Sequence, residues 1–215
     1  FSRLQEAVAA NGDAPVIWLK GSGCTGCSVS LLNSVYYATI EDLLLGVISL
    51  EYHPTVMAAS GDFAINAASI MRPSNSELAA LSDNWLSTTP GLSIDVNNDN
   101  TVNDLDYALM AKRGYVLIVE GATPTGSGGL FCTVASNGAG GDLTMVDALK
   151  KFATYAGAII AVGTCACYGG ITAAAGGGTA SLGVKAALTS WGISKPVINV
   201  PGCPFNPDWV VGVIS

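Results

Sequence analysis

The chain has 215 residues and half of them are apolar, which excludes a disordered protein and supplies side chains for a sizeable core. Asp and Glu outnumber Lys and Arg by 16 to 9, so the net charge is −7 and the pI is near 4.4, which argues against nucleic-acid binding through a basic face. Only 12% of residues are charged, against roughly 25% in an average globular chain, so much of the surface is expected to lie against a partner. Mean hydropathy is +0.46, yet no run approaches the roughly 18 uninterrupted apolar residues of a membrane span, and none is expected.

From the N-terminus, Phe1-Ser2-Arg3-Leu4 shows no basic segment leading into an apolar one, so no signal peptide is read there. The apolar run 15–19 is the first predicted strand, and helical patterns follow at 29–35 and 41–45. A further strand is predicted at 47–52. From about 71 to 113 the chain turns polar and turn-rich, with Arg72-Pro73-Ser74-Asn75 and Thr88-Thr89-Pro90-Gly91, and reads as a surface insertion. Strands at 115–119, 158–162 and 196–200 then alternate with helices at 144–155 and 180–191, and a last helix opens at 208. The Gly-rich stretch 173–178 reads as a flexible surface loop. Continuous apolar strands alternating with helices predict a parallel α/β sheet with helices on both faces.

Six cysteines punctuate this pattern: Cys24, Cys27, Cys132, Cys165, Cys167 and Cys203. A disulfide-stapled scaffold is usually far shorter, so metal or cluster ligation competes with buried free thiols. Cys24 and Cys27 follow the first strand, and Cys165 and Cys203 each follow a later strand after two intervening residues. Three strands thus deliver four thiols to the C-terminal edge, where open α/β sheets bind ligands. In Gly21-Ser-Gly-Cys24-Thr-Gly-Cys27-Ser28 the C-x-x-C spacing lets two thiolates share one centre, and the glycines let backbone amides face the sulfurs. A helix starting near Ser28 favours a negative centre. The same stretch nominally spells a dinucleotide fingerprint at Gly21, Gly23 and Gly26 with Glu41 further on, which leaves the two cysteines unexplained. Four cysteines also suit zinc, but structural zinc sites usually pair two C-x-x-C knuckles, whereas a [4Fe–4S] cluster suits this wide spacing. A zinc- and calcium-binding structural module is the alternative.

These residues carry a resemblance. Trp18-Leu-Lys-Gly-Ser-Gly-Cys-Thr-Gly-Cys-Ser-Val-Ser-Leu-Leu-Asn-Ser34 resembles the proximal-cluster loop of the small subunit of nickel–iron hydrogenases. Ser49-Leu-Glu-Tyr-His-Pro-Thr-Val-Met57, Val119-Glu-Gly121, Val162-Gly-Thr-Cys-Ala-Cys-Tyr-Gly-Gly170 and Pro201-Gly-Cys-Pro204 follow in that family's order, and the nickel–iron–selenium subgroup shares them. The resemblance implies a flavodoxin-like domain, residues 1–215, whose Cys24, Cys27, Cys165 and Cys203 hold a proximal [4Fe–4S] cluster. It implies a large-subunit partner carrying the Ni–Fe centre, an external acceptor such as a cytochrome or ferredoxin, and a periplasmic or otherwise extracytoplasmic location. No residue of this chain is then expected to break bonds.

The family continues into a domain with a medial and a distal cluster. No cysteine follows Cys203 here and the only histidine is His53, so the sequence reads as lacking that domain. Oxygen-tolerant members carry extra cysteines where Gly26 and Gly170 stand, so an ordinary four-cysteine cluster is expected. Cys132 and Cys167 read as small buried hydrophobes, His53 as a structural histidine, and Glu120 as either a polar neighbour of the cluster or a solvated strand end.

The insertion carries its own pattern. Asp95, Asn97, Asp99, Asn103 and Asp106 place oxygen side chains at positions 1, 3, 5, 9 and 12 of a loop, and Thr101 offers a backbone carbonyl at position 7. This matches an EF-hand-type calcium loop and resembles the Asp-ended loop of dockerin modules. Asn100 stands in place of the usual glycine, and Asn tolerates the left-handed backbone of that turn.

Overall fold

The computed structural model describes residues 14–57, 115–136, 141–174 and 177–214. The insertion 71–113, and with it the loop residues Asp95, Asn97, Asp99, Thr101, Asn103 and Asp106, lies outside the described residues.

Apolar residues on alternate sides of each strand build the sheet. Strands β1 (Ala14–Lys20), β2 (Ile48–Tyr52), β3 (Val116–Glu120), β7 (Ala158–Val162) and β9 (Val197–Val200) form one parallel sheet in the order β2-β1-β3-β7-β9. Counting these five alone, the order is 2-1-3-4-5, the flavodoxin-like arrangement, as expected from the resemblance. Two short antiparallel pairs lie outside it: β4 (Thr123–Pro124) with β8 (Ser181–Leu182), and β5 (Thr133–Ser136) with β6 (Asp142–Thr144).

The strand period of two splits the core into two layers. Ile17, Leu19, Leu117, Val119 and Ile159 point to a layer shared with Leu149 and Phe152 of α3 (Met145–Tyr155) and Leu188 of α5 (Val184–Ser190). Val16, Trp18, Val116, Ile118 and Ile160 point the other way, toward Leu31 of α1 (Gly26–Leu32), Leu43 of α2 (Ile40–Gly46) and Val210 of α6 (Pro207–Ile214). All five residues of β3 are buried, which is why its sequence reads as an unbroken apolar run.

Helix starts are written in capping residues. Thr144 Oγ1 accepts the Asp147 N–H at 3.1 Å, and Thr39 with Asp42 forms a reciprocal capping box. The second box explains why the pattern spanning 29–45 is two helices: Ser34 Oγ donates to the Ala38 carbonyl at 2.7 Å, and Thr39 opens a new helix. The predicted helix 180–191 is shorter in the structure. Ser181 and Leu182 pair with β4, and the helix begins only after Gly183. A short helix, α4 (Gly163–Tyr168), was not legible from periodicity, being a single turn and a half. Of the segment expected to be a loop at 173–178, Ala173 closes a 3₁₀ turn at Gly170–Ala173, and the other described residues are irregular as expected.

Candidate cluster site

The cysteines sit on three loops at the carboxyl ends of β1, β7 and β9. Cys24 precedes α1 and Cys27 lies in its first turn, Cys165 lies in the first turn of α4, and Cys203 sits in the loop after β9. Strand order reverses between β1 and β3, so the loop after β1 opens at the topological switch point, where a crevice forms.

Backbone and hydroxyl bonds tie these loops together. The Thr164 N–H donates to the Gly202 carbonyl at 2.8 Å, joining the Cys165 and Cys203 segments. Ser30 Oγ donates to the Phe205 carbonyl at 2.7 Å, joining α1 to the Cys203 loop. Ser22 and Ala122 exchange backbone bonds at 2.8 and 2.7 Å, fixing the Cys24 loop against the turn after β3.

Cys27 and Cys165 each feel the charge of other thiols. Burial is the main influence on the Cys27 thiol, pushed up to about 11. The Phe205 backbone opposes this, while Glu120, Cys24 and Cys165 add to it. Burial likewise raises the Cys165 thiol, with Cys203, Cys24 and Glu120 adding to the rise. Such mutual opposition disfavours four free thiolates and is relieved when a positive iron centre lies among them.

Glycines clear the space around the sulfurs. A Cβ at Gly163 would stand 2.4 Å from Cys27 Sγ, and one at Gly170 would stand 2.5 Å from Cys165 Sγ. Both positions have positive φ, +82° and +56°, which glycine adopts without strain. The donor set of four thiols and this glycine cradle both fit a [4Fe–4S] cluster. Among the described residues no three His, Cys, Asp or Glu side chains gather closely enough for one metal ion.

The other singled-out residues separate clearly. Glu120 is no solvated strand end: it is 1% exposed. Its Oε2 accepts from Trp18 Nε1 at 3.1 Å and from Ser28 Oγ at 2.5 Å, and its Oε1 accepts the Ser28 N–H at 3.1 Å. His53 is fully buried against Trp18, with ring centroids 4.8 Å apart. Its Nδ1 accepts the N–H groups of Thr55 and Val56 at 3.1 and 3.2 Å, while Nε2 has no partner among the described residues. The expectation of a structural histidine holds on one nitrogen only. Cys167 is buried, and its Sγ donates to the Ala161 carbonyl at 3.3 Å. Cys132 is half-buried and packs against the layer of α3 and α5. Sequence reasoning missed Lys20, whose Nζ donates to Thr25 Oγ1 at 2.6 Å within the C-x-x-C loop. Its place as the last residue of an otherwise apolar strand was the available signal.

The fold and site thus define a flavodoxin-like parallel sheet with cysteines on three loops at its switch-point edge. Residues 24–215 match the family described as NADH ubiquinone oxidoreductase, 20 Kd subunit, and the chain belongs to that family. It is 38% identical over 205 residues to the periplasmic [NiFeSe] hydrogenase small subunit of Desulfomicrobium baculatum, covering 94% of this chain and 53% of that protein. It is 32% identical over 214 residues to the hydrogenase-2 small chain of Escherichia coli K12, covering 100% of this chain and 45% of that one. The crystal structure of a reduced, active form of the Ni-Fe-Se hydrogenase from D. baculatum superimposes with a TM-score of 0.69 at 38% identity, over 93% of this chain and 60% of that one. The chain spans about half the length of the curated relatives it matches.

Proposed function

We propose that this chain is the electron-transfer part of a nickel–iron or nickel–iron–selenium hydrogenase small subunit, with Cys24, Cys27, Cys165 and Cys203 as ligands of a proximal [4Fe–4S] cluster. The observation that carries this reading is the convergence of four thiols from three strand ends around a glycine cradle, in a chain whose relatives are named hydrogenase small subunits. The cluster supplies one-electron storage between the H₂-splitting Ni–Fe site on a large subunit and an external acceptor such as a cytochrome or ferredoxin.

The chain's own residues hold and shield. Four cysteines fix the cluster on rigid strand ends. Gly163 and Gly170 admit it close to the backbone. The apolar layer of Trp18, Leu31 and Phe205 lies beneath Cys27 and excludes water from that side. No side chain here needs to exchange a proton with substrate. No helix among the described residues is long and apolar enough to cross a membrane. The periplasmic assignment rests on relatives so named.

Elemental analysis of the anaerobic complex tests the reading. Iron with acid-labile sulfide, accompanied by nickel in a larger co-purifying chain, is expected. Zinc without iron or sulfide would overturn it. Separately, the ligand spacing at Asp95, Asn97, Asp99, Thr101, Asn103 and Asp106 supports a calcium site in the insertion. Calorimetric titration should find a calcium site that Asp95→Ala and Asp106→Ala each abolish; equal binding by both variants would reject it.

A further inference from the structure

Two residues of opposite charge stand side by side at the switch point. Lys20 and Glu120 are register partners, the last residues of β1 and β3. Parallel neighbours point to the same face, here the face that carries α1. Each reaches the C-x-x-C loop from a different end. Lys20 Nζ donates to Thr25 Oγ1 at 2.6 Å, between the two cysteines of the motif. Glu120 takes both the N–H and the hydroxyl of Ser28, directly after Cys27. Trp18, two residues before Lys20 on the same face, donates its indole N–H to Glu120 and so orients the carboxylate. Among the described residues three donors face its two oxygens.

We infer that Lys20 and Glu120 are positioning residues that bracket the C-x-x-C loop and bias the reduction potential of the cluster held there in opposite directions. The inference rests on the four-cysteine cluster proposed above. The core with four thiolates carries about −2, and reduction adds one more negative charge. A nearby ammonium favours the reduced state and raises the potential; a buried carboxylate opposes it and lowers the potential. Glu120 acts across a desolvated path and is expected to weigh more per charge than half-buried Lys20. The pair lets one loop be tied at both ends without adding net charge beside the cluster.

The test is a potentiometric titration of the anaerobically purified native complex, followed by EPR, with iron and sulfide measured on each sample. Cys203→Ser identifies the signal: the resonance it removes belongs to the four-cysteine cluster. If no resonance is lost, the ligand reading fails, whatever the charged residues do. For that resonance, Lys20→Met should shift the midpoint potential down, and Lys20→Arg should return it toward wild type. Glu120→Gln should shift it up. An unmoved potential in Lys20→Met, or shifts of the same sign in Lys20→Met and Glu120→Gln, would overturn the inference. Should Glu120→Gln fail to load iron, its positioning role is supported, and Lys20→Met alone decides the electrostatic one.

Discussion

Cys27 and Cys167 are two thiols that burial treats alike and surroundings treat differently. Desolvation pushes each up to about 11, and a backbone amide, of Phe205 for Cys27 and of Val200 for Cys167, works against it in each case. Cys27 faces Glu120, Cys24 and Cys165, whereas the only charge that raises Cys167 is that of Cys27 itself. Cys167 settles its Sγ on the Ala161 carbonyl and packs into the layer of α3 and α5. A raised thiol is therefore chiefly the mark of burial. What separates a ligand candidate from a filler is convergence with other thiols, and that is a property of topology.

The largest expected effect tests this separation directly. Cys203→Ser should remove nearly all iron and sulfide and uncouple H₂ oxidation from a dye acceptor, while Cys167→Ala leaves both intact. Equal iron loss in the two variants, measured by elemental analysis, would erase the distinction. A smaller effect comes from the cradle. Gly163→Ala sets a Cβ 2.4 Å from Cys27 Sγ at a φ of +82°. The left-handed backbone costs roughly 1–2 kcal/mol, and the sulfur must move as well. Partial iron occupancy and a lower melting temperature are expected. Gly212→Ala is the control, since a Cβ there meets nothing within 4 Å. In a helix it should be neutral or stabilising by about 0.5–1 kcal/mol.

Much of this arrangement was legible in the sequence because burial on both faces leaves an unbroken apolar signature. All five sheet strands were found within a residue or two, and the thiols' positions after them followed. The helix starting at Met145 was expected at 144–155 from its pattern, and in the structure Thr144 caps it. What escaped is either too short to carry a period or depends on contacts that periodicity does not show. α4 is too short to show a period, and β8 exists only because Ser181 and Leu182 meet Thr123 and Pro124. The burial of Glu120 depends on Trp18 and Ser28, which lie 102 and 92 residues away. Lys20 was passed over for the same reason, since its partner Thr25 matters only once the loop folds back over the strand end.

Trp18→Phe sharpens the comparison on the Cys27 side. It keeps an aromatic ring against His53 and deletes one donor to Glu120. Losing a hydrogen bond to a buried carboxylate costs about 1–3 kcal/mol, and Ser28 still holds both oxygens. Chemical denaturation of the cluster-free chain should show a loss in that range. The same substitution mirrored in the opposite layer, Tyr115→Phe, removes only a hydroxyl donated to the Phe152 carbonyl and should cost about 0.5–1.5 kcal/mol.

The finest test uses pH, where the two cysteines part again. In the cluster-free chain both thiols lie near 11 against 9.0 unfolded, so the unfolded state releases protons first. Their contribution to stability is fully present below pH 9 and is lost as pH rises toward 11. His53 gives the opposite limb: burial, and then the charge of Lys20, hold it down to about 4 against 6.5. The unfolded state takes up its proton first, so that contribution is present above pH 6.5 and lost as pH falls toward 4. Melting temperature should therefore show a plateau from about pH 6.5 to 9 that His53→Gln broadens on the acid side. Cys27→Ala and Cys167→Ala should each flatten the alkaline limb of the cluster-free chain. In the loaded complex Cys167→Ala should still do so, whereas the share of Cys27 is already gone from the wild type, because a thiolate bound to iron has no proton left to lose. If cluster loading leaves the alkaline limb of the Cys167→Ala variant unchanged, Cys27 is no more a ligand than Cys167.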